Sequence, residues 1–368
     1  MNARILTIPP LFSSALQGKR GVRGDFVMSN RRETSYSKKI SRYPDISGFL
    51  EMTTFFKSPS IPSTLKGTVA TGGGEVLKVL FMNERQSAKQ ILRKPSWLKV
   101  RPPYSHECRS IRSTLSGLQL HTVCQEAACP NMSECFADGT ATFLIMGNVC
   151  TRDCLYCNVE HGKPDAIDKN EVNHLIDAVS KMKLEYVVIT SVTRDDLPDG
   201  GAQVFSDCVG RLREEIPSCK VEVLIPDFQG DPAALKKVIA AKPDVINHNM
   251  EVVKPMFTRL RPQGNYDVSL KLLNNISSSS VISKSGFMVG FGESREDILR
   301  LIDDLAAVSC ARLTIGQYQQ PTLKHWPVAK YYHPDEFAEF KEIAYQKCFQ
   351  YVESEPLVRS SYHAAEAI

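Results

Sequence analysis

Cys150, Cys154 and Cys157 fall within one octapeptide, CTRDCLYC, at C-x3-C-x2-C spacing. Just upstream, CQEAACPNMSEC holds Cys124, Cys129 and Cys135 at C-x4-C-x5-C spacing. Thiolates are soft ligands that suit zinc or iron–sulfur clusters. A tetrahedral zinc site takes four donors, and each set supplies only three. Two readings stay open. One is zinc, completed by a histidine or a distant thiol. The other is a pair of cubane [4Fe–4S] clusters. Such clusters are ordinarily held by four cysteines, so an iron lacking one is open to an outside ligand. Three residues between Cys150 and Cys154 suit a loop wrapped around a bulky object. The gaps of the upstream set are both too wide for a short zinc knuckle, and Pro130 and Asn131 turn the chain after its second thiol. His121, three residues before Cys124, reads equally well as a structural residue.

Something must hold these thiols, and the chain offers a repeating scaffold. TATFLIMG (140–147), YVVITSV (186–192), VEVLIPDF (221–228), DVINHNME (244–251), VISKSGFMVGFG (281–292) and RLTIGQY (312–318) read as strands. Between or after them, residues 171–183, 202–216, 231–241, 295–308 and 334–349 carry helical spacing. Such alternation predicts a parallel sheet with helices outside. Short, continuously apolar strands fit a sheet covered on both faces. The count favours an α/β fold of six units, a partial (β/α)6 barrel that stays open. In a barrel the site forms at the C-terminal strand ends. The polar residues expected there are Arg194, Asp195 and Asp196, then Asp227, Asn249, Glu251 and Gln317. The three of RDDLPDGG also read as a solvated loop with a local ion pair.

Composition narrows the classes. The chain has 368 residues and is 42% hydrophobic, enough for one large domain or two smaller ones. It has no apolar run of about eighteen residues, so no membrane-spanning helix is expected. A net charge of +4 is too modest to imply nucleic acid. Residues 1–80 hold 12 Lys/Arg against 5 Asp/Glu and many Ser, Pro and Gly. Residues 1–85 therefore read as a weakly ordered extension, not needed for chemistry. Arg4, Lys19, Arg20 and Arg23, with no acid before Asp25, fit an organellar transit peptide; the alternative is an extension ahead of a start at Met82. The five scattered cysteines, Cys108, Cys208, Cys219, Cys310 and Cys348, read as small buried hydrophobes in a reducing compartment.

The downstream triad, with Tyr156 before its last cysteine, resembles the loop of radical S-adenosylmethionine enzymes. The upstream triad resembles the hallmark of lipoyl synthases, and VRSSYHA (358–364) resembles that family's C-terminal motif. TSVTRDDLPDGGA, VLIPDFQGD, HNMEVV, SKSGFMVGFGE and TIGQYQQP extend the similarity over about residues 90–366. The chain departs from the pattern at Ala128, Asp153, Leu155 and Gln319.

The resemblance implies a radical SAM partial barrel over 139–350. An auxiliary-cluster segment covers 86–138, and a tail (351–368) carries a serine ligand. It implies one [4Fe–4S] cluster on Cys150, Cys154 and Cys157, and an auxiliary [4Fe–4S] cluster on Cys124, Cys129, Cys135 and Ser361. The implied activity is a sulfurtransferase reaction. Two sulfurs from the auxiliary cluster enter C6 and C8 of a protein-bound octanoyl-lysine, with two S-adenosyl-L-methionine as cosubstrate. No side-chain acid or base is assigned to that chemistry. Gly286, Gly290 and Glu293 resemble the segment lying along the nucleoside; Lys284 and Arg359 join Asn249, Glu251 and Gln317 as candidates on the cosubstrate or substrate side. The implied partners are octanoylated lipoyl carrier domains of 2-oxoacid dehydrogenase complexes and the glycine cleavage H protein. A ferredoxin or flavodoxin would donate electrons, and iron–sulfur carrier proteins would load the clusters. No nucleic acid or membrane partner is expected. The cytoplasm is the expected location, with the mitochondrion as the alternative if residues 1–24 are a transit peptide.

Overall fold

The computed structural model describes residues 92–99, 120–126, 129, 131, 135 and 142–367. The expected extension (1–85), Ala128 and Cys108 lie outside them. Along the chain come β1 (His121–Thr122), α1 (Val123–Glu126), β2 (Thr142–Ile145), β3 (Val149–Cys150) and β4 (Glu160–His161). There follow α2 (Glu171–Met182), β5 (Tyr186–Ser191), α3 (Ala202–Glu215), β6 (Lys220–Leu224), α4 (Pro232–Ala240) and β7 (Val245–Asn247). The remainder is α5 (Lys254–Leu260), α6 (Tyr266–Ser277), β8 (Ile282–Val289), α7 (Arg295–Ala307), β9 (Arg312–Gln317), α8 (Pro334–Gln346) and β10 (Tyr351–Ser354).

One sheet runs β1-β2-β5-β6-β7-β8-β9-β10. From β2 to β10 every pairing is parallel; only β1 runs antiparallel, against β2. The strands are apolar because both faces are covered: every residue of β2 and of β9 is buried. The helices bury one stripe each. On α7 this is Ile298, Leu301, Ile302 and Leu305, at helical spacing, and Ser294 and Asp297 close a capping box at its start.

All six expected strands form. The sheet has a seventh parallel strand, β10, inside the segment read as a tail. Its sequence, YVES, hides this because Glu353 and Ser354 are buried polar residues with their own partners. Ser354 donates to the Phe337 carbonyl at 2.8 Å, and Glu353 accepts from Tyr351 at 2.9 Å. Two helices, α5 and α6, also fill the stretch between β7 and β8, where no helix was expected. The buried stripe of α6 is Tyr266, Ser269, Leu272, Leu273 and Ile276, and its serine dilutes the apolar signal. Asn265 caps the helix by accepting from Asp267 N and Val268 N.

Lys284, one of the cosubstrate- or substrate-side candidates, lies away from the C-terminal end of its strand. It sits in the N-terminal half of β8, where Glu222 of β6 accepts from its Nζ at 2.9 and 3.0 Å. Tyr186 and Asn247 donate to the same carboxylate at 2.6 and 3.2 Å. A buried lysine needs such a partner, and Glu222, alone among the apolar residues of VEVLI, was the signal for it.

The serine of α6 explains a buried histidine. His248 Nδ1 lies 2.9 Å from the Ile225 carbonyl and Nε2 lies 3.0 Å from Ser269 Oγ. A carbonyl can only accept, so Nδ1 carries the proton and Nε2 accepts from the serine. Burial, aided by the Arg261 charge, pushes the imidazole down to about 4 from 6.5. The unfolded chain therefore binds this proton first. The neutral ring is fully compatible with the fold above about pH 6.5, and stability is lost as pH falls toward 4, by up to about 3 kcal/mol. Denaturant titrations of the metal-free protein across that window should show this slope, and His248→Gln should flatten it.

Candidate metal centres

The first thiol loop leaves β2 through a sharp turn. Met146 and Gly147 both have positive φ, 65° and 86°. Glu171, the first residue of α2, accepts from Met146 N with both carboxylate oxygens at 2.8 Å. Arg194 Nη1 donates to the Met146 carbonyl at 3.2 Å, and its guanidinium pairs with Asp196 at 2.8 Å. Cys150 ends β3, and its Sγ accepts from Thr193 N (3.3 Å) and Arg152 N (3.4 Å). Cys157 N donates to the Cys154 carbonyl at 3.0 Å. Burial raises both Cys154 and Cys157, the latter to about 12, and each feels Cys150 as a neighbouring charge.

Arg152, between the first two thiols, fastens this loop to the sheet. It is 6% exposed. Asp195, after β5, accepts from Nε at 2.6 Å and Nη2 at 2.9 Å. Asp227, after β6, accepts from Nη2 at 2.6 Å and Nη1 at 2.8 Å. Burial works against the Asp227 charge, yet Arg152 holds that carboxyl down at about 2.

A strap from β9 to α8 covers the other side of the loop. His325 Nε2 donates to the Cys157 carbonyl at 2.9 Å, and Trp326 N donates to the Leu155 carbonyl at 2.9 Å. Gln317 holds the strap at its root: Nε2 donates to the Val289, Tyr318 and Lys330 carbonyls, and Oε1 accepts from Tyr332 N at 2.9 Å. Glu293 accepts from Gly290 N (2.6 Å) and Phe291 N (2.8 Å). A side chain at Gly290 would lie 2.1 Å from Gln317 Nε2, and φ there is +115°. Gln317 thus anchors the strap, and Glu293 braces the Gly290–Phe291 turn beside it. Gln319 accepts from Lys94 at 2.9 Å, joining the strap to residues 92–99.

The second triad is assembled from distant pieces. Cys129 N donates to the Cys124 carbonyl at 3.0 Å, and Cys135 N to the Asn131 carbonyl at 2.9 Å. Asn131 Nδ2 reaches the Leu357 carbonyl at 2.6 Å. There the tail lies directly on β9: a side chain at Gly316 would strike the Val358 carbonyl at 2.2 Å. Thr142 Oγ1 donates to Ser361 Oγ at 2.7 Å. The Cys124 thiol, raised chiefly by its hydrogen bond to Cys129, keeps its proton. That bond, with Arg359 nearby, pushes Cys129 down to about 6 against its burial.

Between the triads lie Asn249, Glu251 and Arg359. Asn249 Nδ2 donates to Ser360 Oγ (2.5 Å) and Glu251 Oε1 (3.0 Å). Burial raises Glu251, opposed by Arg261 and Arg359. Cys154 and Cys157 feel the Glu251 charge, and Arg359 feels both Cys129 and Glu251. Glu251 has φ of 67°, a costly conformation outside glycine. Asn249 Oδ1 is buried without a partner. Gly286 packs where a side chain would meet Thr314 Oγ1 at 2.2 Å and Asn249 Oδ1 at 3.1 Å.

Residues 144–305 match the model of the radical SAM superfamily, and residues 80–129 match that of the N-terminal domain of lipoyl synthase. The lipoyl synthase of Rubrobacter xylanophilus is 51% identical over 74% of this chain and 86% of its own length. That of Roseiflexus sp. is 48% identical over 74% and 91%, and that of Nitrosomonas eutropha 47% over 76% and 90%. The chain belongs to the lipoyl synthase family. As a family of the radical SAM superfamily, it works with iron–sulfur chemistry and S-adenosylmethionine.

The donor chemistry fits that class. All six triad cysteines are free thiols. Among the described residues, no three His, Cys, Asp or Glu side chains converge on a point for a single metal ion. The sequence singled out every thiol of these two lipoyl synthase triads but neither Arg152 nor His325. An arginine inside a thiol motif carries no signal of its own, since its partners lie 43 and 75 residues away. Replacing Arg152 with methionine strands Asp227 as an unpaired buried charge. The metal-free protein should lose about 3–5 kcal/mol of stability, measured by denaturant unfolding, and iron uptake by a chain whose only thiol triad is Cys150, Cys154 and Cys157 should fail.

Proposed function

We propose that this protein inserts two sulfur atoms at C6 and C8 of an octanoyl chain carried on a lysine of a lipoyl carrier domain. Two [4Fe–4S] clusters serve it, one on Cys150, Cys154 and Cys157 and one on Cys124, Cys129, Cys135 and Ser361. The observation that carries this reading is that both thiol sets interact with one pair of charged residues, Cys154 and Cys157 with Glu251, and Cys129 with Arg359, which in turn interacts with Glu251. One site alone would suffice for a radical enzyme; a second, with a serine brought beside it, fits a sulfur source. Bound there, such clusters supply the electron for reductive cleavage of S-adenosylmethionine at the first triad and the inserted sulfur at the second.

The substrate's C–H bonds are unactivated, so no side chain can remove their protons at an accessible pKa. The chain's own residues bind, orient and shield. The Arg152 bridge and the His325–Trp326 strap fix the first thiol loop from two sides. Asn249 Oδ1 and the Glu251 carboxylate offer acceptors to the polar groups of the cosubstrate. Arg359 sets positive charge beside Cys129, favouring the thiolate a metal requires. Octanoylated carrier domains, a low-potential electron donor and iron–sulfur carriers are the partners this chemistry needs.

Anaerobic loading should give about eight irons and eight sulfides per chain, measured by elemental analysis with Mössbauer spectroscopy. Zinc in place of iron would end the radical reading. Alanine at Cys150, Cys154 and Cys157 should abolish 5′-deoxyadenosine formation. Alanine at Cys124, Cys129 and Cys135 should leave 5′-deoxyadenosine and hydrogen abstraction from an octanoylated peptide, yet stop sulfur transfer. Fully dithiolated peptide from that second variant would refute the donor assignment.

A further inference from the structure

We propose that Thr142 is a positioning residue for the second metal centre, holding Cys124 with its main chain and Ser361 with its side chain. The inference rests on the reading that both are ligands of one cluster. Thr142 opens β2 and is 2% exposed. Its backbone N–H donates to the Cys124 thiol, while its hydroxyl donates to Ser361 Oγ at 2.7 Å across 219 residues of sequence. One residue thus sets the distance between the thiol arm and the tail arm.

The chemistry suits a ligand oxygen. An iron-bound serine oxygen has given up its proton and can only accept, so a hydroxyl beside it must donate, as Thr142 does. Threonine is also stiff about χ1, and β2 is fixed on both sides: Thr142 pairs with Val188 of β5, and the next residue, Phe143, with Thr122 of β1. The hydroxyl is therefore aimed before the tail arrives. The tail is held independently through Leu357 and Ser360, by Asn131 and Asn249. What remains for Thr142 is to orient the oxygen of Ser361.

Thr142→Val tests this. Valine keeps the shape, the strand preference and the N–H to Cys124, and removes only the donor. The full-length chain with alanine at Cys150, Cys154 and Cys157 loads a single cluster, whose iron loss to a chelator can be timed and whose Mössbauer spectrum can be read. In that chain Thr142→Val should lose iron about five-fold faster, the scale of one hydrogen bond. Thr142→Ser should restore the parent rate. In a Ser361→Ala chain, Thr142→Val should add nothing, because the interaction it removes is already gone. An unchanged rate and spectrum for Thr142→Val would overturn the inference, as would an equal acceleration with Ser361→Ala. The underlying reading fails separately: Ser361→Ala alone would then leave the rate and spectrum unaltered.

Discussion

Arg152 is the residue on which the first centre depends. A guanidinium so deeply placed must be paired, and the two carboxylates that pair with it end two neighbouring strands. The loop between Cys150 and Cys154 is therefore not free to choose its path. It must run where Asp195 and Asp227 can both reach it, beside the turn that Glu171 and Arg194 grip from below. The strap repeats the constraint from above, through the carbonyls of Leu155 and Cys157. A loop this short has little secondary structure of its own, so its precision is borrowed from β2, β5 and β6.

The two candidate centres are built on different principles. The first takes its three thiols from eight consecutive residues, and the sheet only has to hold them. The second takes them from a stretch before β2 and brings a tail from beyond β10. Its parts meet because β2 and β9 each supply a contact surface, one through Thr142 and the other through the bare backbone of Gly316. Asn249, Glu251 and Arg359 stand between the two, which links any change at one centre to the electrostatics of the other.

Much of this could be read from the sequence because its physics is local. Six strands were readable as short, largely apolar runs, and the thiols declared themselves by spacing. The rest depended on distant partners. β10 looks polar until Phe337 and Tyr351 satisfy Ser354 and Glu353; α6 looks irregular until His248 explains Ser269. Lys284 looked like a binding residue because nothing in its own neighbourhood names Glu222. Ser361 entered through resemblance alone, since a serine near a tyrosine has no chemistry that spacing can single out.

The contact between Thr142 and Ser361 encloses nearly the whole barrel, and that has a consequence for how the protein is made. Bringing such remote segments together carries the entropy of a long closed loop, which only the folded strands and helices in between can offset. The tail can dock only once much of the sheet has formed, because its seat on Gly316 lies in β9 and its partner Asn249 follows β7. The meeting of Thr142 and Ser361 is therefore a report on the whole domain: it forms only when the units of the barrel between them are in place.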